Sequence, residues 1–247
     1  MVKTVEHKEE FVSYLNDTFK DLSFVEESHE YTVGKTELIP TSNKIQKYYG
    51  KFPLHAASLT YAEKRGLNQQ DVLDDWERNR NEAAERGTDV HDFAEHYILK
   101  DKKFLPEKED PNYLMKMQVV KFWEEIPEYY TCISTEQRMY SILHGYAGTT
   151  DFLLLDHRTD TIVIGDYKTN KNVFKNYGNR MYSPFDDLID SPYNHYQLQL
   201  SFYQILLEDI GMKVSNRVVV WIKRDGYELF HPEDYTEKLR KTISNDN

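Results

Sequence analysis

At 247 residues, with 39% hydrophobic and 30% charged side chains, the chain is long enough to bury a core in one domain without a metal or disulfide staple. Its single cysteine, Cys132, excludes an intrachain disulfide framework, a four-cysteine zinc site and a cysteine-ligated iron–sulfur cluster. A formal net charge of −11 argues against a uniformly basic nucleic-acid-binding surface and leaves only local patches to attract phosphate.

Along the chain, Phe11, Val12, Leu15, Phe19 and Leu22 recur at helical spacing and predict an amphipathic opening helix from His7 to Leu22 with an acidic outer face. Runs at Leu22 to Val25 and Tyr31 to Val33, with Gly34 behind them, predict a small hairpin. Thr41 or Ser42 then caps a helix carrying Ile45, Tyr48 and Tyr49, interrupted by Pro53. The stretch from Gln69 to Lys100 is helical in pattern, and Gly87-Thr88 supplies a stop and a fresh cap, so two helices are expected to meet there. Another helix is expected from Tyr113 to Glu125, ended by Pro127. β-branched and aromatic residues dominate Gln137 to Leu143, Gly148 to Asp156 and Thr161 to Lys168, which read as strands. The polar stretch from Asn170 to Ser191 reads as a mobile loop, followed by an apolar helix from Tyr193 to Ile210. A hairpin over Val214 to Arg224 and Tyr227 to Phe230, turning at Asp225-Gly226, and a last helix from about Asp234 to Ser244 complete the pattern. The expected fold is α/β (α+β): a central mixed sheet flanked by helices, with residues 1–80 as a helical and hairpin elaboration packed on a core at 81–247. No apolar run reaches membrane-spanning length, and the first ten residues are too acidic for a leader, so a cytoplasmic protein with no membrane partner is expected.

The segment Gly148-Thr-Thr-Asp151 through Gly165-Asp166-Tyr167-Lys168 concentrates the chemistry. If His157 to Asp160 form a four-residue hairpin loop, Asp156 pairs with Thr161 and Asp151 falls opposite Asp166. Two carboxylates then leave one face roughly 5 Å apart at Cβ. Strand alternation adds Lys168 to that face and sends Tyr167 to the other. Opposed carboxylates repel unless a cation lies between them. Such a group suits a hard divalent ion and phosphodiester hydrolysis, with the lysine steadying developing charge.

These residues resemble the catalytic strands of the RecB-like exonuclease branch of the PD-(D/E)XK nuclease superfamily, and two flanking segments agree in order. Gly87-Thr88-Asp89-Val90-His91 with Glu95 is similar to that branch's Gly-Thr-x-x-His helix, and Gln199-Leu-Ser-Phe-Tyr203 to its Gln-x-x-x-Tyr helix. The resemblance spans roughly residues 80 to 225. It implies a restriction-endonuclease-like core and a DNA exonuclease of recombination, repair or end processing. The chain is nearer in length to phage recombination exonucleases and the mitochondrial genome maintenance exonuclease than to a RecB chain. The resemblance further implies Mg²⁺ or Mn²⁺ held by His91, Asp151, Asp166 and the main-chain carbonyl of Tyr167, with Lys168 catalytic and Gln199 and Tyr203 on a helix face turned to the lysine and the DNA. Thr150 stands where the superfamily label has proline, and no iron–sulfur cluster and no Gly-x-x-x-x-Gly-Lys-Ser/Thr phosphate loop is expected.

Several assignments stay open at the level of sequence. Glu136 is either an acid supporting the metal or an ordinary surface glutamate, and Glu95 has the same two readings. Lys171, Lys175 and Arg180, interleaved with Tyr177 and Tyr182, fit either a single-strand-binding segment or a solvated loop. His195, four residues before Gln199, either contacts phosphate or merely begins a helix. An endonuclease of the same superfamily, and an inactive nuclease-like DNA-binding protein, are the alternatives to the exonuclease. Strand polarity, oligomeric state and protein partners leave no trace in the residues.

Overall fold

A computed structural model describes residues 2–26, 28–100 and 102–245. The opening helix, α1 (Val2–Phe19), leads into a three-stranded antiparallel meander of β1 (Leu22–Val25), β2 (Glu30–Val33) and β3 (Thr36–Pro40). The expected hairpin is thus one strand longer. Leu38 turns inward against Tyr31 and Ala147, but the neighbouring glutamate and closing proline hide the alternation. A short helix, α2 (Thr41–Ile45), follows directly and passes into a 3-10 turn at Gln46–Tyr48. Thr41 does not cap it. Its hydroxyl donates instead to the carbonyl of Ala147 at 2.9 Å, tying the helix start to the sheet.

Helix α3 (Leu54–Arg65) ends at Gly66 in the left-handed conformation (φ 65°), the usual role of glycine there. Asn68 then caps α4 (Gln69–Leu99), accepting from the Gln70 N–H at 2.7 Å. The break expected at Gly87-Thr88 does not occur, and α4 is a single helix of 31 residues. A glycine inside a helix costs about 1 kcal/mol relative to alanine. The helix-forming flank Glu82-Ala-Ala-Glu-Arg86 and the burial of Val90, Phe93, Ala94 and Tyr97 offset it.

Beyond α5 (Tyr113–Glu125) come β4 (Tyr130–Ser141), β5 (Tyr146–Asp156) and β6 (Thr161–Lys168), then α6 (Pro192–Asp209), β7 (Val214–Ile222), β8 (Tyr227–Phe230) and α7 (Thr236–Asn245). Strand β4 begins at Tyr130 rather than Gln137. The eight strands form one mixed sheet flanked by helices, an α/β architecture. On one face α1, α2, α6 and α7 bury Leu15, Ile45, Leu198, Phe202, Leu206 and Leu239 against Leu153, Leu155, Ile162 and Ile164. On the other, α4 and α5 bury Phe93, Val119, Phe122 and Trp123 against Phe152, Leu154, Val163 and Tyr167. Residue 80 lies within α4, so one helix joins the stretches 1–80 and 81–247, and β3 continues the sheet. No helix among the described residues is long and apolar enough to cross a membrane.

The edges of β5 position everything that follows. One edge is occupied along its length by antiparallel β4. The other is divided. Parallel β3 takes Tyr146 and Ala147, antiparallel β6 takes Phe152 to Asp156, and residues 148–151 between them have no ladder partner on that side. The divided edge opens a cleft where β3 and β6 approach each other end to end.

Candidate metal centre and active site

The β5–β6 ladder runs from Asp156 opposite Thr161 to Phe152 opposite Gly165, the register anticipated from the hairpin. One step further lie Asp151 and Asp166. There the ladder gives way to a side-chain contact: the Tyr167 N–H donates to Asp151 Oδ2 at 2.5 Å. Asp151, Asp166 and Lys168 all line the cleft, together with Gln199 and Tyr203 from α6. The Tyr167 ring points to the opposite core, where the Trp123 Nε1–H donates to its hydroxyl at 2.7 Å.

Two glycines make this approach possible. A Cβ on Gly165 would stand 1.9 Å from the Phe152 ring, which covers the glycine across the ladder. A Cβ on Gly148 would stand 2.5 Å from Tyr203 and 2.7 Å from Thr41. Glycine at 148 therefore lets α6 and α2 close on β5 beside the acids. Ser191 caps α6, with Pro192 in its first turn. One helical turn apart on that helix, the Gln199 Nε2–H donates to the Tyr203 hydroxyl at 2.7 Å.

His91 reaches the site from α4, its Nδ1 3.4 Å from Asp151 Oδ1. Glu136 arrives from β4, where Thr135 pairs with Phe152 and Gln137 with Thr150, so that the glutamate falls level with Asp151. Its backbone is left-handed (φ 45°), a conformation that costs a non-glycine residue about 1–3 kcal/mol and persists where the surroundings enforce it. One nitrogen or oxygen each from His91, Glu136 and Asp151 lie within 4.8 Å of one another. Of the residues expected to bind metal, the compact group thus contains His91 and Asp151. Glu136 joins them, while Asp166 is ion-paired with Lys168.

The electrostatics mark the group as short of positive charge. Burial raises the Glu136 carboxyl and the adjacent Asp151 charge adds to it, bringing it to about 8. Burial likewise raises Asp166, Lys168 only partly offsets this, and it stands at about 6. Asp151 is buried too, but the charge and hydrogen bond of His91 hold its carboxyl below the ordinary range. For His91, burial opposes protonation and Asp151 outweighs it, raising the imidazole to about 9. Burial also opposes the Lys168 charge, yet Asp166 and Asp151 keep it firmly protonated. Its Nζ sits 4.6 Å from the centre of the Tyr196 ring. Asp166 Oδ2 is buried and receives no directed hydrogen bond despite the ion pair. A divalent cation that displaced the protons of His91 and Glu136 would meet one imidazole and two carboxylates, with Asp166 beside them, a donor set that Mn²⁺ or Mg²⁺ accepts.

The remaining candidates fall elsewhere. Glu95, one turn beyond His91, lies near enough to raise Glu136 further but is not in the compact group. His195 is stacked on Tyr49 at 3.7 Å, and its Nε2 lies 2.7 Å from Asp190 Oδ1, away from the cleft lining. Arg180 donates to the carbonyls of Asp186 and Asp187 and so folds its own segment. That segment is a loop, as expected. It has little regular structure, but Val173, Met181 and Phe185 are buried and pin it to the body. Lys171 and Lys175 lie on its exposed side. Sequence reasoning missed the opposite wall of the cleft, formed by His29, Tyr31, Pro40, Thr41 and Ser42. The hydroxyls of Tyr31 and Thr149 lie 2.9 Å apart. No local pattern in residues 29–42 announces this role, which depends on β3 docking beside Ala147.

Compared with models of known protein families, the chain matches none, and no curated protein matches it either.

Proposed function

We propose that the chain is a Mg²⁺- or Mn²⁺-dependent deoxyribonuclease acting from DNA ends, in recombination, repair or end processing. The observation that carries this reading is the meeting of Glu136, Asp151 and the Asp166–Lys168 pair in one cleft, with His91 against Asp151 and more carboxylate than cation. A structural cluster has no reason to keep three acids so close. His91, Asp151 and Glu136 would hold the ion, with Asp166 beside them. When bound, it supplies a Lewis acid for the phosphate and a water acidified toward hydroxide. Lys168 stays protonated, so it steadies negative charge on the scissile phosphate rather than accepting a proton. Asp166 and the Tyr196 ring fix where that ammonium points. Gln199 and Tyr203 brace each other and set the cleft wall beside it. The resemblance to the RecB-like branch favours attack at ends over internal cutting.

End-labelled linear single- and double-stranded DNA and closed circular DNA, incubated with Mn²⁺, provide the test. Shortening of linear DNA with intact circles is the expected outcome. Nicked circles would transfer the reading to an endonuclease of the same superfamily. Manganese binding without cleavage of any substrate would leave an inactive DNA-binding protein, and absence of both would end the metal-nuclease reading.

A further inference from the structure

Outside the cleft, exposed aromatic rings from three separate stretches of chain come together. Phe52, Tyr61 and Tyr177 expose 49, 37 and 64% of their surface. The Phe52 ring lies 5.8 Å from Tyr177 and 6.0 Å from Trp76, and Trp76 lies 5.6 Å from Tyr61. Cations accompany the rings. Lys175 Nζ is 5.3 Å from Tyr177 and the Arg65 guanidinium 4.6 Å from Tyr61. Neither forms an ion pair among the described residues, whereas Arg78 and Arg80 on the neighbouring helix are paired with Asp75 and Glu77.

Pairwise contacts and chain neighbours connect the group to Lys168. Beside Lys168 lies Tyr196, and its chain neighbour His195 stacks on Tyr49. The Tyr182 N–H donates to the Tyr48 carbonyl at 2.6 Å, and its hydroxyl rests against Gly50, where a Cβ would meet it at 3.0 Å. Phe52 follows two residues later.

Flat rings left in water with unneutralised cations among them match a flexible polyanion that carries flat bases. A duplex hides the faces of its bases, whereas a single strand offers them for stacking. We propose that this track seats a single strand of DNA leading to Lys168, with bases on Phe52, Trp76 and Tyr177 and phosphates on Lys175 and Arg65. The inference rests on the nuclease reading for what happens at the inner end of the track, and binding can be measured without it.

The test is fluorescence anisotropy of the full chain in chelator, with a labelled oligothymidylate of about 15 nucleotides and a blunt duplex of equal length as probes. The oligothymidylate is expected to bind more tightly than the duplex. Phe52→Ala with Tyr177→Ala, both at half-exposed or exposed positions, should weaken single-strand binding roughly tenfold or more and leave the duplex unchanged. Lys175→Gln should lower the slope of log affinity against log salt by about 0.7. Parental single-strand affinity in the double variant, or an unchanged salt slope, overturns the track even if cleavage proceeds. Leu54, Leu59 and Leu67 are also exposed nearby. If sedimentation shows that the double substitution abolishes self-association and not DNA binding, the surface belongs to a second copy of the chain and the proposal fails. Tight, ring-dependent binding with no cleavage under Mn²⁺ upholds the track and removes the nuclease reading.

Discussion

Helix α6 serves two polar clusters that are built on opposite principles. Toward α7, Gln204 donates to Glu208 at 2.7 Å and to Asp234 at 2.9 Å and accepts from Arg217, whose remaining N–H groups reach Asp234 and the Pro232 carbonyl. Each charge there meets an opposite charge or a dipole. Toward the cleft, Gln199 and Tyr203 overlook Glu136, Asp151 and Asp166, whose repulsion Lys168 and His91 only partly relieve. Satisfied networks fix a fold, whereas crowded ones are kept for what completes them.

The contrast can be broken most sharply at the acids. Asp166→Ala and Lys168→Ala are each expected to lower DNA cleavage on the order of a thousandfold. Asp166→Ala should change the metal-free melting temperature little, because the repulsion it removes is set against the loss of the ion-pair partner of Lys168. Cleavage by either variant at the parental rate would refute the assigned site. Arg217→Met should do the reverse. It leaves the Gln204 amide oxygen and the Pro232 carbonyl without their donor, while Asp234 keeps Gln204 and Thr236; it costs about 1–3 kcal/mol in chemical denaturation, and spares activity in the fraction that remains folded.

A smaller effect sharpens the comparison from the ligand side. Mn²⁺ at a hundredfold excess over its Kd should stabilise the parent by about 2.7 kcal/mol and the Arg217 variant equally, but Glu136→Gln much less. Equal stabilisation of the Glu136 variant would remove that residue from the metal group. The smallest effect is a pH slope. The raised Glu136 and Asp166 carboxyls bind a proton in the fold that the unfolded chain has released, and their contribution fades as pH rises toward about 8 and 6. His91 contributes fully below its ordinary range and loses that contribution as pH climbs through about 9. Asp151, with its lowered carboxyl, loses its contribution only in acid. Melting in chelator should therefore fall from about pH 4 to about pH 9, and saturating Mn²⁺ should flatten the slope.

The hairpin was legible because the Asp156–Thr161 closure and strict alternation fix register locally. Asp151, Asp166 and Lys168 could thus be placed on one face by counting. Glu136 could not be placed in this way. Its position depends on β4 pairing with β5 and on a left-handed residue that no propensity anticipates. Helix α3 was missed because most of its face is exposed and lacks an apolar stripe. At Gly87 a local stop signal lost to packing further along: Val90, Phe93 and Tyr97 dock on the sheet only if α4 runs straight through.

The divided edge of β5 has a practical consequence for anyone who would shorten this chain. The two banks of the cleft come from segments far apart in sequence, and β5 is the strand to which both are laddered. A fragment starting at residue 81 would retain every acid and the lysine, yet lose the bank carrying Tyr31 and Thr41. It would also uncover a stretch of strand free to recruit a neighbouring molecule. The fragment that sequence motifs outline is therefore smaller than the piece of chain that encloses the cleft.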